Sequence, residues 1–381
     1  MREKLSSAVA PLTPPPNAFH LGIGLTRNCT LGCLYCHAEA DKKVNAQWPV
    51  LAAAIEHAVA AGARTPGRTL SVSFAVGGEP TMNWPLFKRT VLVLRERAAR
   101  SESGVKRLFL SMTTNGYYGY KKQRFISEHF DHLTVSLDGP PEVHDLHRPN
   151  RAGDGSYIVV AQSAKYFLRS SNVRAGLRST VSSGSVELMP EIVQHFATEF
   201  GGGYVVSFEP LIETGRAQRF DEMRSPEMTV FEEKFLEARK IGATCGIRVI
   251  TSAASTNRLI RHYCGAMSIP SFTVCADGKL TACHRDQDAA DYGYGYIDTM
   301  SGRVVIDSKR AAGVATKSEM PQSCGTCLAK WHCAGDCPDL RRVGWSRCEF
   351  NRSMILSEIL TMLQVKTRGP EYGSPTNRKD S

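Results

Sequence analysis

Three cysteines near the N-terminus have a spacing that suits a metal centre. Cys29, Cys33 and Cys36 form a C-x3-C-x2-C motif within CTLGCLYC. A cubane cluster has four irons, each needing a ligand, so three thiolates leave one iron open to a chelating ligand. A structural zinc site needs a fourth protein ligand, and His37, adjacent to Cys36, is poorly placed to bind the same ion. We therefore favour an open 4Fe-4S cluster over zinc or a chance grouping.

A second group of cysteines lies in the C-terminal third. Gly278 in ADGKLTAC is predicted to turn a hairpin that sets Cys283 against Cys264. A dense C-x2-C-x5-C-x3-C-x10-C pattern follows, made up of Cys324, Cys327, Cys333, Cys337 and Cys348. In a reducing compartment such spacing indicates metal ligands and not disulfides. A pair of zinc ribbons would also fit this spacing, but the iron–sulfur motif upstream favours clusters.

Two cysteines are harder to assign from their positions. Cys275 is either a further cluster ligand or a packed thiol one hairpin strand away, and the sequence leaves both open. Cys245 falls in ATCGIRV, a predicted helix-to-strand connection, where a thiol is expected to pack in the core.

The elements that position these residues alternate in type. Six β-then-α units predict parallel strands with right-handed crossovers, and hence an α/β barrel or partial barrel. The predicted strands are His20–Thr26, Thr69–Val76, Arg107–Thr113, His132–Leu137, Ala175–Val181 and Tyr204–Glu209. The predicted helices are Trp48–Ala61, Pro85–Arg97, Gln123–Phe130, Tyr157–Leu168, Val186–Phe200 and Pro226–Ile241.

Polar motifs follow these strands at the ends where barrel chemistry is expected. CTLGCLYC follows the first strand, GGEP the second, TTNG the third and SLDGP the fourth, and FEP ends the sixth. Together these motifs resemble the radical S-adenosylmethionine (SAM) superfamily, whose signature has an aromatic residue, here Tyr35, before the third cysteine. The resemblance extends from about residue 20 to residue 355.

The resemblance implies a fold, a cofactor set and a reaction. The fold is a partial (β/α)6 TIM-like barrel, and the reaction is one-electron cleavage of SAM to a 5'-deoxyadenosyl radical that abstracts a substrate hydrogen. GGEP corresponds to the segment that binds the methionyl amine, and Ser136 and Arg148 to residues that bind the ribose and carboxylate. The implied cofactor-binding residues are Tyr35, Gly77, Gly78, Glu79, Pro80, Asn115, Ser136 and Arg148.

The C-terminal cysteines resemble the SPASM domain, which implies two auxiliary 4Fe-4S clusters and thus three clusters in all. Carried over by position, one cluster is bound by Cys324, Cys327, Cys333 and Cys348. The other is bound by Cys264, Cys283 and Cys337, with Cys275 as the open question.

SPASM proteins mostly modify peptides or proteins, so we expect a peptide substrate. Sulfatase-maturing members have an Asp base after the hairpin cysteine, where this chain has His284, which weakens a sulfatase-maturing role although Asp277 or Asp286 lies nearby. The motifs are also compatible with radical chemistry on a small metabolite, or with a non-catalytic Fe-S or zinc protein.

No residue is assigned as the catalytic base. The candidates are His284, Asp277, Glu209 and Asp339, and Glu213 and Arg178 are further residues expected at the barrel mouth.

Length and charge set the remaining expectations. The 381 residues suggest two domains, predicted as a lead-in at 1–17, the barrel at 18–243, the SPASM domain at 244–355 and a helix end with a solvated tail at 356–381. The net charge of +10 is scattered, so no nucleic-acid partner is expected. No membrane span or signal is predicted, which indicates the cytoplasm.

The expected partners also follow from the resemblance. The reaction requires a reductant such as flavodoxin or ferredoxin. The 28 residues before Cys29 are too few for a leader-binding domain, so we expect either direct recognition of the peptide or a separate leader-binding protein.

Overall fold

The computed structural model describes residues 17–38, 41–264 and 271–367. Most of the predicted lead-in and the tail after residue 367 lie outside these ranges. Within them, no helix is long and apolar enough to cross a membrane.

The predicted set of six parallel strands is confirmed. Each strand pairs in parallel with the next in the order β1-β4-β5-β6-β7-β8. These strands are β1 Ala18–Ile23, β4 Thr69–Phe74, β5 Arg107–Thr114, β6 His132–Ser136, β7 Arg174–Val181 and β8 Val205–Pro210. The short antiparallel strands β2 Thr26–Asn28 and β3 Asp41–Asn45 flank the first cysteine motif.

Helices connect the parallel strands, as the periodicity predicts. They are α1 Trp48–Ala63, α2 Trp84–Ala99, α3 Tyr120–His129, α4 Pro141–His147, α5 Tyr157–Arg169, α6 Met189–Phe200 and α7 Met228–Thr244. Several begin with proline in the first turn, where its missing N–H would have no partner within the helix. Buried aromatic rings join helix and sheet, as where Phe87 of α2 packs against Phe74 and Phe130.

The two faces of the sheet differ in chemistry because successive side chains on a strand point to opposite sides. Leu70, Val72 and Phe74 of β4 are fully buried on the face that the helices cover. Ser71 and Ser73 point the other way, and both lie within hydrogen-bonding distance of His20. We call this second side the inner face. It also carries the alternate residues Ser111, Thr113, Thr134, Ser136, Arg178 and Thr180.

Further strands extend this sheet at both edges. β9 Arg248–Ile250 adds in parallel to β8, and β10 Phe272–Val274 adds in parallel to β1. Three antiparallel strands continue from β10, namely β11 Lys279–Thr281, β12 Gly293–Asp298 and β13 Arg303–Ile306, and α8 Ser308–Lys317 follows. These strands belong to the residues that the sequence assigns to the C-terminal domain, and here they are part of the main sheet.

The described residues form two compact units. The first contains those up to 252 together with 264 and 271–318, and the second contains 253–263 and 319–367. The second unit has the short helices α9 Lys330–Cys333 and α10 Pro338–Arg342 and the long helix α11 Cys348–Thr367. Its small core includes Ala254, Ala329, Cys333 and Ile355.

Candidate active site

The first cysteine motif lies on the loop after β2. Cys29, Cys33 and Cys36 are free, partly exposed thiols. The loop is attached to the chain after α4, because the amide of Gly32 donates to the carbonyl of Pro149 at 2.8 Å and that of Leu34 to His147 at 3.0 Å. These bonds bring the motif to the carboxyl end of β6, as the barrel rule predicts.

Asn115, just after β5, makes the most direct contact with this motif. Its side-chain Nδ2 lies 3.4 Å from Cys29 Sγ and 2.9 Å from Thr30 Oγ1. Its Oδ1 accepts from the amide of Tyr117 at 2.9 Å, so the amide group is oriented from both ends. The assignment of Asn115 to the cofactor site stays a prediction. The structure shows that Asn115 contacts a cysteine sulfur of the first motif.

The two glycines of GGEP let the backbone approach the segment that leads into Cys29. The amide of Gly78 donates to Thr26 O at 2.8 Å, and that of Glu79 to Asn28 O at 3.0 Å. A Cβ at Gly78 would lie 1.8 Å from Asn28 O, and one at Gly77, whose φ is +88°, would lie 2.4 Å from Thr26 O. Glycine is required here for contact between two protein segments.

The Glu79 carboxylate is occupied by donors from its own chain. It accepts from the amide and hydroxyl of Thr81 at 3.2 and 2.9 Å, from Thr114 Oγ1 at 3.1 Å and from the amide of Asn115 at 2.8 Å. Burial raises its pKa, although these bonds act against the shift. A carboxylate has about four lone-pair sites, so Glu79 acts here as a link between β4 and β5. Pro80 is buried next to it in the turn Pro80–Asn83.

Tyr35, Arg148 and Asp138 form a buried group behind the cysteine loop. Arg148 Nη1 donates to Tyr35 Oη at 2.6 Å, and Tyr35 Oη donates to Asp138 Oδ2 at 2.7 Å. Arg148 is only 6% exposed, and its Nε has no hydrogen-bond partner among the described residues. Ser136 is half-buried at the end of β6. The structure therefore places Tyr35 and Arg148 in one network and Ser136 on the inner face nearby.

Sequence reasoning missed the partners that hold this group. Burial alone would raise the pKa of Asp138, but the hydrogen bond to His147 and the charge of Arg148 lower it to about 2. Burial lowers the pKa of His144 to about 3, so its unprotonated Nδ1 accepts from the amide of Asp138 at 3.2 Å. Its Nε2 then donates to Ser156 Oγ at 3.0 Å. The segment DGPPEVHDLHR could have indicated these partners, because it contains Asp138, His144 and His147 within a few residues of Arg148.

The predicted hairpin at Gly278 is confirmed, since β10 and β11 pair on either side of this glycine, whose φ is +86°. Cys275 lies at the turn, where its amide donates to Lys279 O at 2.8 Å, and it is 2% exposed. Cys283 follows the far end of β11. The two thiols are therefore at opposite ends of the hairpin, which favours a packed thiol at Cys275 over a cluster ligand. Cys264 is partly exposed in the same unit.

The second compact unit contains Cys324, Cys327, Cys333 and Cys348, the predicted ligands of one cluster, and also Cys337. Asn351 Nδ2 lies 3.3 Å from Cys333 Sγ. Asn351 is in turn held by Asp336, which forms a buried two-point ion pair with Arg347 at 2.5 and 3.0 Å. A cysteine sulfur again receives an N–H from an immobilised asparagine, as Cys29 does.

The candidate catalytic bases differ in how many hydrogen bonds and ion pairs their carboxylate oxygens already make within the chain. Asp277 caps the hairpin turn and pairs with Lys279 at 2.9 Å. Asp339 pairs with Arg342 at 3.1 Å. The buried Glu209 accepts from Ser207 at 2.9 Å and from the Ser252 hydroxyl at 2.5 Å.

His284 is the candidate that faces the cysteine loop. Its ring lies 6.5 Å from that of His37, centroid to centroid, at 78°. Of the other acids near the hairpin and mouth, Asp286 accepts three backbone amides of its own loop and Glu213 pairs with Arg224 at 3.2 Å. Cys245 caps α7 next to Thr244 and is partly exposed, so the expectation of a thiol packed in the core is wrong.

The residues of the first motif fit an iron–sulfur cluster by their chemistry. Burial raises the pKa of Cys33 to about 12 and also raises that of Cys29. Without a cation these sulfurs would stay protonated, and a metal centre would stabilise them as thiolates. Asn115 supplies an N–H to one sulfur, a common second contact of cluster ligands. Among the described residues, no three His, Cys, Asp or Glu side chains are arranged to hold a single metal ion.

The chain is similar in sequence to one protein family and to several known proteins. Residues 23–183 match the model of the Radical SAM superfamily. A serine-type anaerobic sulfatase-maturating enzyme of Klebsiella aerogenes is 24% identical over 385 residues, which cover 96% of this chain and 91% of that protein.

Two solved structures share the fold at low identity. anSMEcpe with bound AdoMet and the Cp18Cys peptide has a TM-score of 0.63 and 19% identity, over 84% of this chain and 88% of that chain. SuiB of Streptococcus suis bound to its precursor peptide SuiA has a TM-score of 0.59 and 14% identity, over 89% of this chain and 75% of that chain. Both likenesses confirm the α/β architecture that the sequence predicts.

Proposed function

Because residues 23–183 of this chain match the Radical SAM superfamily, we propose that the protein cleaves SAM reductively and uses the resulting radical to modify a peptide or protein. The observation that carries this proposal is the position of Cys29, Cys33 and Cys36 on one loop at the carboxyl end of the parallel sheet, next to a polar inner face. Cys29, Cys33 and Cys36 would hold the cluster, which when bound would supply the electron for SAM cleavage and so give the radical that abstracts a substrate hydrogen.

The residues of this chain would bind and orient the reactants. Asn115 donates to Cys29 Sγ and so fixes one cluster ligand. Gly77, Gly78 and Glu79 pack the second strand end against the segment before Cys29. Ser136 remains the proposed ribose or carboxylate contact, because it is half-buried on the inner face and its side chain makes no hydrogen bond to another described residue.

We propose peptide substrates on two grounds. The sulfatase-maturating relative aligns along nearly the whole chain, and the neighbouring structures contain the Cp18Cys and SuiA peptides. Three clusters are proposed in all, one at Cys29, Cys33 and Cys36 and two among the C-terminal cysteines. A reductant such as flavodoxin or ferredoxin is also proposed, with the peptide either recognised directly or delivered by a separate leader-binding protein. A cytoplasmic location is proposed because exposed cluster ligands require a reducing compartment.

The test is anaerobic reconstitution of the full chain. We expect about twelve irons, in three clusters of four, and SAM-dependent formation of 5'-deoxyadenosine. Cys245→Ala is the matched control, because this thiol lies at the end of α7. A colourless protein loaded with zinc, or one that leaves SAM intact, would refute the proposal.

Oxidation of a Ser or Cys in a sulfatase is the second candidate, favoured by the Klebsiella relative. His284 stands where the sulfatase-maturing pattern has an Asp, so a proton acceptor there would be an imidazole. Mass spectrometry of a sulfatase-derived Cys peptide after turnover separates the two candidates. Conversion to formylglycine would create an aldehyde in the peptide. A crosslink or thioether would lower the mass of the peptide without creating an aldehyde.

A further inference from the structure

The inner face carries an arginine whose charge is unpaired within the part of the chain that the structure describes. Arg178 lies on β7 with its Cα paired to Ser136 on one side and to Ser207 on the other. Its side chain is exposed, unlike those of its neighbours Leu177 and Ser179, which are buried towards the helices. Among the described residues, no hydrogen bond or ion pair reaches its guanidinium. Glu209 lies nearby on β8, but its carboxylate is taken by Ser207 and Ser252.

The register of the sheet places Arg178 level with the proposed cofactor site. Thr114 pairs with Val135, so Asn115 is level with Ser136, and Ser136 pairs with Arg178. Asn115 contacts Cys29 Sγ. Two strand spacings, about 10 Å between Cα atoms, therefore separate Arg178 from the residue that contacts the cysteine loop. The exposed side chain of Arg178 therefore lies on the inner face at the level of the proposed cofactor site.

A second arginine lies next to the cysteine loop. Arg285 follows His284, whose ring lies 6.5 Å from that of His37. Arg285 is oriented by Thr214 Oγ1 at 2.8 Å. Of the acids near the hairpin and the mouth, Glu213 pairs with Arg224, and Asp286 accepts backbone amides of its own loop.

From this arrangement we infer that Arg178, with Arg285 near the cysteine loop, binds a carboxylate of the substrate, and that the substrate is an acidic peptide. The inference rests on the proposed peptide-modifying function. SAM itself also has a carboxylate, but its sulfonium and ammonium make it cationic overall, so the positive charge of the two arginines disfavours it as the sole ligand. An Asp or Glu side chain would satisfy the guanidinium with two parallel hydrogen bonds.

The experiment compares two labelled synthetic peptides of equal length with a shared Gly-Ser-Cys core, one flanked by Glu and the other by Gln. Their affinities for the SAM-loaded holoenzyme are measured by fluorescence anisotropy. The wild type should bind the acidic peptide about tenfold more tightly, the effect of one charge-assisted hydrogen bond. Arg178→Gln should abolish this preference, and Arg178→Lys should retain part of it.

Arg174→Gln is the matched control, because Arg174 is exposed on the same strand and the same side but about 13 Å nearer its other end. It should keep the preference. Equal binding of both peptides by the wild type, or an unchanged preference in Arg178→Gln, overturns the inference. So does a fall in SAM affinity of Arg178→Gln that matches the loss of peptide affinity, which would assign Arg178 to the SAM carboxylate. SAM cleavage is assayed in parallel, and its absence would refute the proposed function and not the inference alone.

Discussion

Tyr35 and Asp138 are 103 residues apart in sequence, and their side chains share a 2.7 Å hydrogen bond. Tyr35 lies between the second and third cysteines of the first motif, whereas Asp138 follows β6. Because Arg148 donates to the same phenol oxygen, the bond connects the cysteine loop to the buried ionic group behind it. The aromatic position of the signature is thereby a structural anchor for the loop.

Removing the negative charge of Asp138 should weaken folding in a pH-dependent way. Its pKa is lowered from 3.8 to about 2, so its contribution is present above pH 4 and is lost as the pH falls towards 2. The linkage corresponds to roughly 2 kcal/mol. We expect Asp138→Asn to lower the free energy of unfolding by about that amount at pH 7, in urea titrations.

The difference between Asp138→Asn and wild type should shrink below pH 4. Asp221→Asn is the control, because that side chain is 95% exposed. A constant difference from pH 7 to pH 3 would contradict the assigned role of the Asp138 charge.

Alanine at Gly78 should prevent proper formation of the cysteine loop. The new Cβ would overlap Asn28 O, which belongs to backbone and cannot swing aside. We expect loss of iron from the first motif and loss of 5'-deoxyadenosine formation, at a cost of a few kcal/mol in stability. Gly119→Ala has nothing within 4 Å of its added methyl group and should behave as wild type. Normal iron loading and SAM cleavage in Gly78→Ala would show that the loop can move.

Glutamine at position 79 should destabilise the link between β4 and β5. An amide presents N–H where Thr81, Thr114 and Asn115 all donate, so at least one donor would face another. We expect a loss of about 1–3 kcal/mol, measured by thermal denaturation. Glu96→Gln, on the exposed side of α2, is the control. If Glu79→Gln weakens SAM binding with no change in stability, Glu79 contacts the methionyl amine.

The two groups of cysteines should respond differently to alanine. Changing Cys29, Cys33 and Cys36 together should abolish SAM cleavage while leaving the C-terminal iron in place. Cys324→Ala should leave SAM cleavage measurable and reduce folding yield or peptide turnover, because this cysteine lies in the second compact unit. Iron analysis and quantification of 5'-deoxyadenosine check both variants. Cleavage by the triple variant would refute the role of the first motif.

Local patterns explain why much of this fold could be predicted. Leu70, Val72 and Phe74 alternate with Ser71 and Ser73, and this alternation alone identifies a strand with one apolar and one polar face. Gly278 likewise marks its turn without any distant information. The motifs after the strands could be placed at one end of the sheet, since parallel strands end there together.

Contacts between distant segments could not be predicted in the same way. The donors to the Glu79 carboxylate, which are Thr81, Thr114 and Asn115, could not be identified from the sequence. The parallel pairing of β10 with β1 joins residues about 250 apart, as the bond from the His20 amide to Ser271 illustrates. Neither relationship leaves a periodic trace in the chain.

The sequence by itself determined the alternation of strands and helices, the three-cysteine motif and the family to which the motif points, because these depend on residue type and short spacing. Tertiary structure alone decided which polar groups are already paired and which are available. Glu79, Arg148 and Asp138 are engaged with other parts of the chain, whereas Arg178 is left facing the inner space. The physical reason is that a buried polar group must find a partner in three dimensions, and that partner can lie anywhere along the chain.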